Sequence, residues 1–472
     1  MKRTKGRNRL RENVLLKDMA AEGRCVAKID EKVYFISGGV PGDRVDILIE
    51  KDKKSYAEGR VYRLLEPSAD RIPAFCRHFG TCGGCKWQNL EYSRQLELKT
   101  KQVKDAFQRI GKISGGEWLP IVASEQVQFY RNKLEYTFSS QRWLESKDML
   151  PEAAGSMDGL GFHIPGRFDK VLDVQECFLQ PEPSNSIRNW VKEYCMRKRL
   201  PFFQLREQTG LLRNLMIRTT LRNEIMVLLI VTEYNDEVQQ LLETLHQAFP
   251  QISSLQYLIN TKRNDAYSDL QPVLFRGKPW VEEWMEELRF RIGPTSFFQT
   301  NATQALRLYQ TVVHLADPNK NDLVYDLYTG TGTIAQFIAR KVRQVVGIEY
   351  VEAAVKDAEV NAEINGIGNV RFFCGDMAKV LNAEFVHQHG KPDIIIADPP
   401  RAGMHPSVIE AILQILPEKI VYVSCNPATQ ARDLASFLSQ YNLLEIQPFD
   451  MFPQTHHVEN VVVLKKNPND SK

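Results

Sequence analysis

Residues 323–349 constrain the chain more than any other stretch. The apolar, β-prone run Leu323-Val324-Tyr325-Asp326-Leu327 stops at Tyr328-Thr329-Gly330-Thr331-Gly332-Thr333. Ile334–Lys341 then has helical character, and a second β-type run, Val345–Ile348, ends at Glu349, nineteen residues beyond Gly330. This is a dinucleotide-style βαβ arrangement in which the acid reaches ribose hydroxyls. The third glycine of the dinucleotide fingerprint is missing, and a ligand without pyrophosphate does not need it. Asp376 follows the strand-like Val370–Phe373, where such folds recognise an adenine amine. Ile394-Ile395-Ile396-Ala397 ends a fourth strand in Asp398-Pro399-Pro400-Arg401. Together these read as an S-adenosylmethionine site on a Rossmann-like sheet.

A further strand-like run, Ile420 to Val423, gives way to Ser424-Cys425-Asn426-Pro427. Pro427 cannot donate to a ladder and pushes Asn426 away from the helical region, so the strand stops there and holds the thiol in a stiff turn. Open α/β sheets place their ligands at the carboxyl ends of their strands, where Cys425 then sits. A half-buried structural cysteine is the plain alternative.

At 472 residues the chain exceeds one ordinary core, and three units are expected: 1–66, 67–290 and 291–472. The first alternates short β-type runs with turns (Arg24–Ile29, Lys32–Ile36, Arg44–Glu50, Gly59–Leu65), as in a small OB-like β-barrel. Val40-Pro41-Gly42-Asp43 supplies proline and glycine where a type II turn wants them. Net charge is only +3, so a polyanion must meet local basic patches. Lys2, Arg3, Lys5, Arg7, Arg9 and Arg11 form one, and Lys51, Lys53, Lys54, Arg60 and Arg63 with Tyr34, Tyr56 and Tyr62 suit RNA. A solvated tail and a plain barrel surface are the alternatives. No stretch approaches the ~18 apolar residues of a membrane span, and a cytoplasmic protein is expected.

Three of the eight cysteines crowd into Cys76-x5-Cys82-x2-Cys85. Such spacing in a reducing compartment points to a metal centre with one ligand still to be found. Zinc would accept His78, although it is cramped between Cys76 and Cys82, whereas an iron–sulfur cluster wants a distant fourth thiolate. Beyond it, Leu96, Val103, Phe107 and Ile110 stand at helical spacing, closed by Gly111 as the residue past the helix end. Residues 120–290 alternate strand-like and helical runs as an α+β domain. There Phe129-Tyr130-Arg131-Asn132-Lys133 offers donors for RNA, or a mere surface hairpin. Residues 140–158 read as a loop insertion.

Phe297-Phe298-Gln299-Thr300-Asn301, Asp326-Leu327-Tyr328-Thr329-Gly330-Thr331-Gly332, Asp398-Pro399-Pro400-Arg401-Ala402-Gly403, Ser424-Cys425-Asn426-Pro427 and His456-His457-Val458-Glu459 resemble, in order, the motifs of the RNA uracil-C5 methyltransferases. With the barrel, which resembles a TRAM domain, the similarity spans almost the whole chain, most closely to the 23S ribosomal RNA branch. The resemblance implies a 4Fe-4S cluster on Cys76, Cys82, Cys85 and Cys177. It also implies S-adenosylmethionine contacts from Gln299, Tyr328, Glu349 and Asp398, a nucleophile at Cys425 and a base at Glu459. Tyr328-Thr329 departs from the commoner phenylalanine and cysteine but retains a ring.

The chemistry is consistent with those roles. Carbon 5 of uracil becomes nucleophilic only after a thiolate adds at carbon 6, and a base must then remove the carbon 5 proton. The target base must be unstacked, as in an RNA loop or a flipped nucleotide. The same motifs would serve transfer RNA. Amino-group methylation also uses Asp-Pro-Pro, but an aromatic residue, not Arg401, usually follows. A non-catalytic RNA-binding protein would not need Cys425 and Glu459. No protein partner is implied, and a monomer is expected.

Overall fold

The computed structural model describes residues 10–144 and 157–468. Lys2 to Arg9 and residues 145–156 of the expected insertion lie outside the described residues.

Residues 10–66 form one six-stranded sheet in the order Leu10–Leu15, Arg44–Asp52, Tyr56–Glu66, Lys32–Ser37, Cys25–Ile29, Asp18–Met19. It encloses its own core of Leu16, Cys25, Ile36, Val45 and Ile47. The Val40–Asp43 turn forms as expected: Asp43 N–H donates to Val40 C=O at 3.0 Å, and Gly42 takes φ +94°. The residues the sequence offers for RNA differ in their surroundings. Tyr34 is in the core and Tyr56 packs edge-on against Phe35, leaving Tyr62, 61% exposed, as the free ring. Lys51, Arg60 and Arg63 pair with Glu58, Glu50 and Asp46.

The central sheet has seven strands in the order Arg167–Asp173, Gly159–Ile164, Lys133–Ser139, Leu212–Thr219, Ile225–Val231, Ser254–Ile259, Val273–Gly277. Helices Ser184–Lys198 and Asp236–Ala248 cover it, the second making the crossover between the parallel pair Ile225–Val231 and Ser254–Ile259.

The third sheet has eight strands. Val370–Cys374, Gln344–Glu349, Leu323–Leu327, Ile394–Ala397 and Lys419–Ser424 run parallel; then come Glu459–Lys466, antiparallel to its neighbour, Tyr441–Phe449, and the short edge strand Glu117–Trp118. The parallel strands are near-continuous β-branched and apolar runs because helices bury both faces. One core joins this sheet to the central one, since Met216, Leu228 and Ile230 pack with Val324, Ile396 and Val421.

Helix Tyr92–Ala106 falls within the expected central unit, yet it packs on the third sheet: Val103, Ala106 and Phe107 join Tyr422, Leu434 and Ile446 in one core. Its end also differs from expectation. A wide turn over Phe107–Gly111 rotates the face, so Ile110 is exposed and the left-handed residue is Lys112, not Gly111. On the other side the helix meets the barrel, with Val40 packing against Trp87, Leu90 and Leu98. Gly23 of the barrel comes so close to the loop before Glu459 that a Cβ there would stand 2.9 Å from Trp87 Nε1 and 3.3 Å from His456 Cβ.

Candidate active site

Strand register brings three reactive side chains to one end of the sheet. Ala397 lies beside Tyr422 in the parallel pair, and Ser424 opposes Asn460 in the antiparallel one. Asp398 and Cys425 therefore leave their strands where Glu459 enters its own. Cys425 is half-buried and is held by its neighbours. Asn426 N–H donates to Ser424 Oγ at 3.1 Å, while Asn426 caps helix Pro427–Phe437 by accepting from Ala428 N–H at 3.1 Å and ties back to Arg401 C=O at 3.0 Å.

The electrostatics of this cluster are mutual. Burial pushes the Glu459 carboxyl up to about 8, with Asp398 adding and Arg401 opposing. Burial brings Asp398 to about 7. The Cys425 thiol is pushed up to about 11 by burial, then by the Glu459 and Asp398 carboxylates, while the Arg401 guanidinium favours the thiolate. Arg401 Nη2 also lies 3.2 Å from His457 Nδ1. Burial and neighbouring cations hold His457 at about 3 and His456 at about 4, so both rings are neutral near pH 7 and His457 Nδ1 accepts from the guanidinium.

Beside this cluster lies a cleft lined by Gln299, Tyr328, Gly330, Asp326 and Asp398, with Phe297 70% exposed at its rim. The glycine loop shapes it: Gly332, at φ +75°, leaves no room for a Cβ, which would meet Phe372 Cζ at 2.7 Å. Tyr328 sits at φ +63°, a conformation that a non-glycine residue rarely holds without surrounding support. Glu349 closes the loop by accepting from Gly330 N–H at 3.0 Å and Val351 N–H at 2.9 Å. A carboxylate has about four lone-pair sites, so capacity remains for ribose hydroxyls. Asp376 caps the short helix Met377–Val380 through Ala378 N–H at 3.1 Å and adds negative charge near Tyr328. Asp326, among the residues lining the cleft, accepts from Thr329 Oγ1 of the glycine loop at 2.5 Å.

The cysteine segment forms a second centre. Cys76, Cys82, Cys85 and Cys177 line one cavity of about 360 Å³ with Phe79, Phe162 and Phe178. Cys177 is pinned at both backbone groups by Asn185, at 2.9 and 3.1 Å, and Gln175 N–H donates to His78 Nε2 at 3.3 Å. Gly83 turns at φ +77°, and a Cβ there would run into Pro165. Zinc bonds of ~2.3 Å would draw four sulfurs within about 4 Å of one another. Among the described residues, no three His, Cys, Asp or Glu side chains are arranged to hold a metal ion. The four thiols nonetheless face one cavity, which is where a centre of the expected kind would sit.

The fold and the cleft define an S-adenosylmethionine-dependent methyltransferase. Residues 203–467 match the family described as tRNA (Uracil-5-)-methyltransferase, and residues 8–62 match the TRAM domain. The chain is 50% identical over 466 residues to an uncharacterized RNA methyltransferase of Porphyromonas gingivalis, covering 95% of this chain and 99% of that one. It is 52% identical over 452 residues to another of Bacteroides thetaiotaomicron, covering 95% and 100%. Among solved structures, a Pyrococcus abyssi tRNA (uracil-54, C5)-methyltransferase in complex with S-adenosyl-L-homocysteine superposes with a TM-score of 0.74 at 27% identity, covering 95% of this chain and 99% of that one. The chain belongs to the RNA uracil-C5 methyltransferase family, with a TRAM domain at its front.

Three residues at the site had no role assigned from sequence. Arg401 was legible only as the residue after two prolines. Asp326 and His457 stood inside quoted motifs. The segment Phe129–Lys133 is no surface hairpin: Tyr130 O–H donates to Pro453 C=O at 2.9 Å, Arg131 lies over the Phe452 ring and Asn132 Nδ2 donates to Gln299 C=O at 3.0 Å.

Proposed function

We propose that the protein methylates carbon 5 of a uridine in 23S ribosomal RNA through a covalent adduct between Cys425 and carbon 6. The observation that carries this reading is the convergence of Cys425, Asp398, Glu459 and Arg401 at one sheet end beside the cofactor cleft. Gln299, Tyr328, Glu349, Asp376 and Asp398 hold S-adenosylmethionine, which supplies the methyl group. The Cys425 thiolate adds to carbon 6 and the pair of electrons moves through carbon 5 onto the carbonyl oxygen, forming an enolate. Carbon 5 then takes the methyl group, and S-adenosylhomocysteine is the leaving group. Glu459 accepts the carbon 5 proton, the C–H electrons restore the ring double bond, and the C–S bond breaks to free Cys425. Arg401 lies where it favours the thiolate, and exclusion of water raises the strength of each such interaction.

In this reading Cys76, Cys82, Cys85 and Cys177 would hold a 4Fe-4S cluster. Their ligation would fasten together two chain segments far apart in sequence. The division at residues 66 and 290 remains part of the proposal as a division by role: barrel, cluster and RNA recognition, chemistry. A second reading, transfer RNA as substrate, is favoured by the likeness to the Pyrococcus abyssi enzyme. Mapping of 5-methyluridine in ribosomal and transfer RNA from a deletion strain tests both. Loss of a single 23S site supports the first reading, and loss confined to transfer RNA replaces it with the second.

A further inference from the structure

The loop Asp450–Val458, which delivers Glu459 to the site, has no ladder of its own, and buried backbone groups outside a ladder must find partners elsewhere. Asn301, Gln304 and Tyr130 bond the carbonyls of Met451, Asp450 and Pro453, and the turn from Phe452 to Gln454 is held by one face of a different helix. Gln95 and Lys99, one turn apart on helix Tyr92–Ala106, are both fully buried. Gln95 Nε2 donates to Gln454 Oε1 at 3.0 Å, and Gln95 Oε1 accepts from Gln454 N–H at 3.0 Å. Lys99 Nζ reaches Asp450 Oδ1 at 2.5 Å and Phe452 C=O at 3.0 Å, and Tyr92 O–H donates to the second oxygen of Asp450 at 2.8 Å.

The same loop is tied to the cysteine centre through the backbone. Lys86 and Trp87 N–H groups, directly after Cys85, both donate to Gln454 C=O, at 2.8 and 3.0 Å. Gln454 itself is held at φ +66°, a left-handed conformation that side chains rarely adopt without such fixing. A buried ion pair of this kind often adds little stability over an apolar replacement, and its best-attested use is to specify one arrangement.

We propose that Gln95 and Lys99 are positioning residues for Glu459: they lock the Asp450–Val458 loop to the segment that follows Cys85, and so set the step that releases RNA from Cys425. The proposal rests on the reading of Glu459 as the base. Neither residue touches RNA or cofactor, so addition and methyl transfer depend on them only through the His457–Arg401 contact and slow less than release. Release suffers, because a misplacement of about 1 Å in a reacting group costs roughly 10²-fold in rate.

The test uses full-length Gln95→Leu and Lys99→Met, with Gln95→Glu as the conservative variant, each checked for unchanged S-adenosylmethionine affinity and thiol-bound metal content. Two readouts are compared: amide hydrogen exchange across residues 452–458, and accumulation of denaturant-stable adduct carrying labelled methyl. Exchange faster by about tenfold in that loop, with adduct accumulation that Gln95→Glu partly reverses, is expected. Unchanged exchange overturns the clamp whatever Glu459 does. Equal slowing of adduct formation and release also overturns it, since that is general destabilisation. If Gln95→Leu does not fold, the exchange comparison between Gln95→Glu and the parent decides. Glu459→Gln runs alongside: normal turnover there refutes the base assignment, and with it this proposal's mechanism, while loop exchange still reports whether the clamp exists.

Discussion

Cys425 stands one step past the Ser424–Asn460 pair of the antiparallel ladder, and Glu459 one step past it on the other strand. The proposed nucleophile and the proposed base are thereby set opposite each other by backbone pairing alone. Their order of action is open to direct test. Cys425→Ala should abolish both methyl transfer and covalent RNA complex. Glu459→Gln should methylate once and stall as a labelled adduct on a denaturing gel. Adduct from Cys425→Ala would refute the nucleophile assignment.

The Glu459 and Asp398 carboxyls also perturb the thiol electrostatically. Replacing Glu459 by glutamine removes a negative charge beside the thiol, so Cys425 should titrate below its parent value of about 11. Arg401→Met should move it the other way. The initial rate of Cys425 alkylation as a function of pH reads both, and a common profile for all three proteins excludes the coupling.

A further consequence is pH-dependent stability. The folded Glu459 carboxyl titrates at about 8 against an ordinary 4.5, so the folded state holds a proton that the unfolded chain releases. Its contribution is fully present at pH below 4.5 and is lost as pH rises through about 8. Glu459→Gln should therefore match the parent in acid and melt about 5 °C higher above pH ~8. The release step should speed up over the same window as the base deprotonates. Scanning calorimetry and single-turnover kinetics across pH check the pair.

The cysteine centre predicts iron and inorganic sulfide in anaerobically purified protein. Cys177→Ser should lose the cluster or the fold. One equivalent of zinc without sulfide would end the cluster reading.

The barrel's exposed groups should set RNA affinity without touching cofactor binding. Tyr62→Ala with Lys53 and Lys54 replaced by Ser should weaken RNA binding and flatten its dependence on salt. Substitution is preferable to deletion of residues 1–66, because removing Val40 would expose Trp87, Leu90 and Leu98. An unchanged salt slope would place RNA contact elsewhere.

Much of this site was readable because its chemistry sits at strand ends, where abrupt changes from apolar residues to Asp398, Glu349 or Cys425 mark the boundary. What escaped the sequence was contact across long separations. Lys99 and Asp450 are 351 residues apart and look like ordinary surface charges until the fold buries both. The pairing of the barrel's basic residues escaped for the opposite reason: composition counts charges and does not show that Lys51, Arg60 and Arg63, still exposed, stand beside Glu58, Glu50 and Asp46. The helix end was misplaced because one wide turn shifts every later side chain around the axis.

Among the described residues, strand Glu459–Lys466 is the last in sequence, yet it lies inside the sheet, between Lys419–Ser424 and Tyr441–Phe449. A chain cut anywhere between Cys425 and residue 459 would keep the cleft, the thiol and the barrel in sequence and yet lack an interior strand of the sheet. On the proposed mechanism it would also lack the base, so truncation there should cost release of RNA as well as stability.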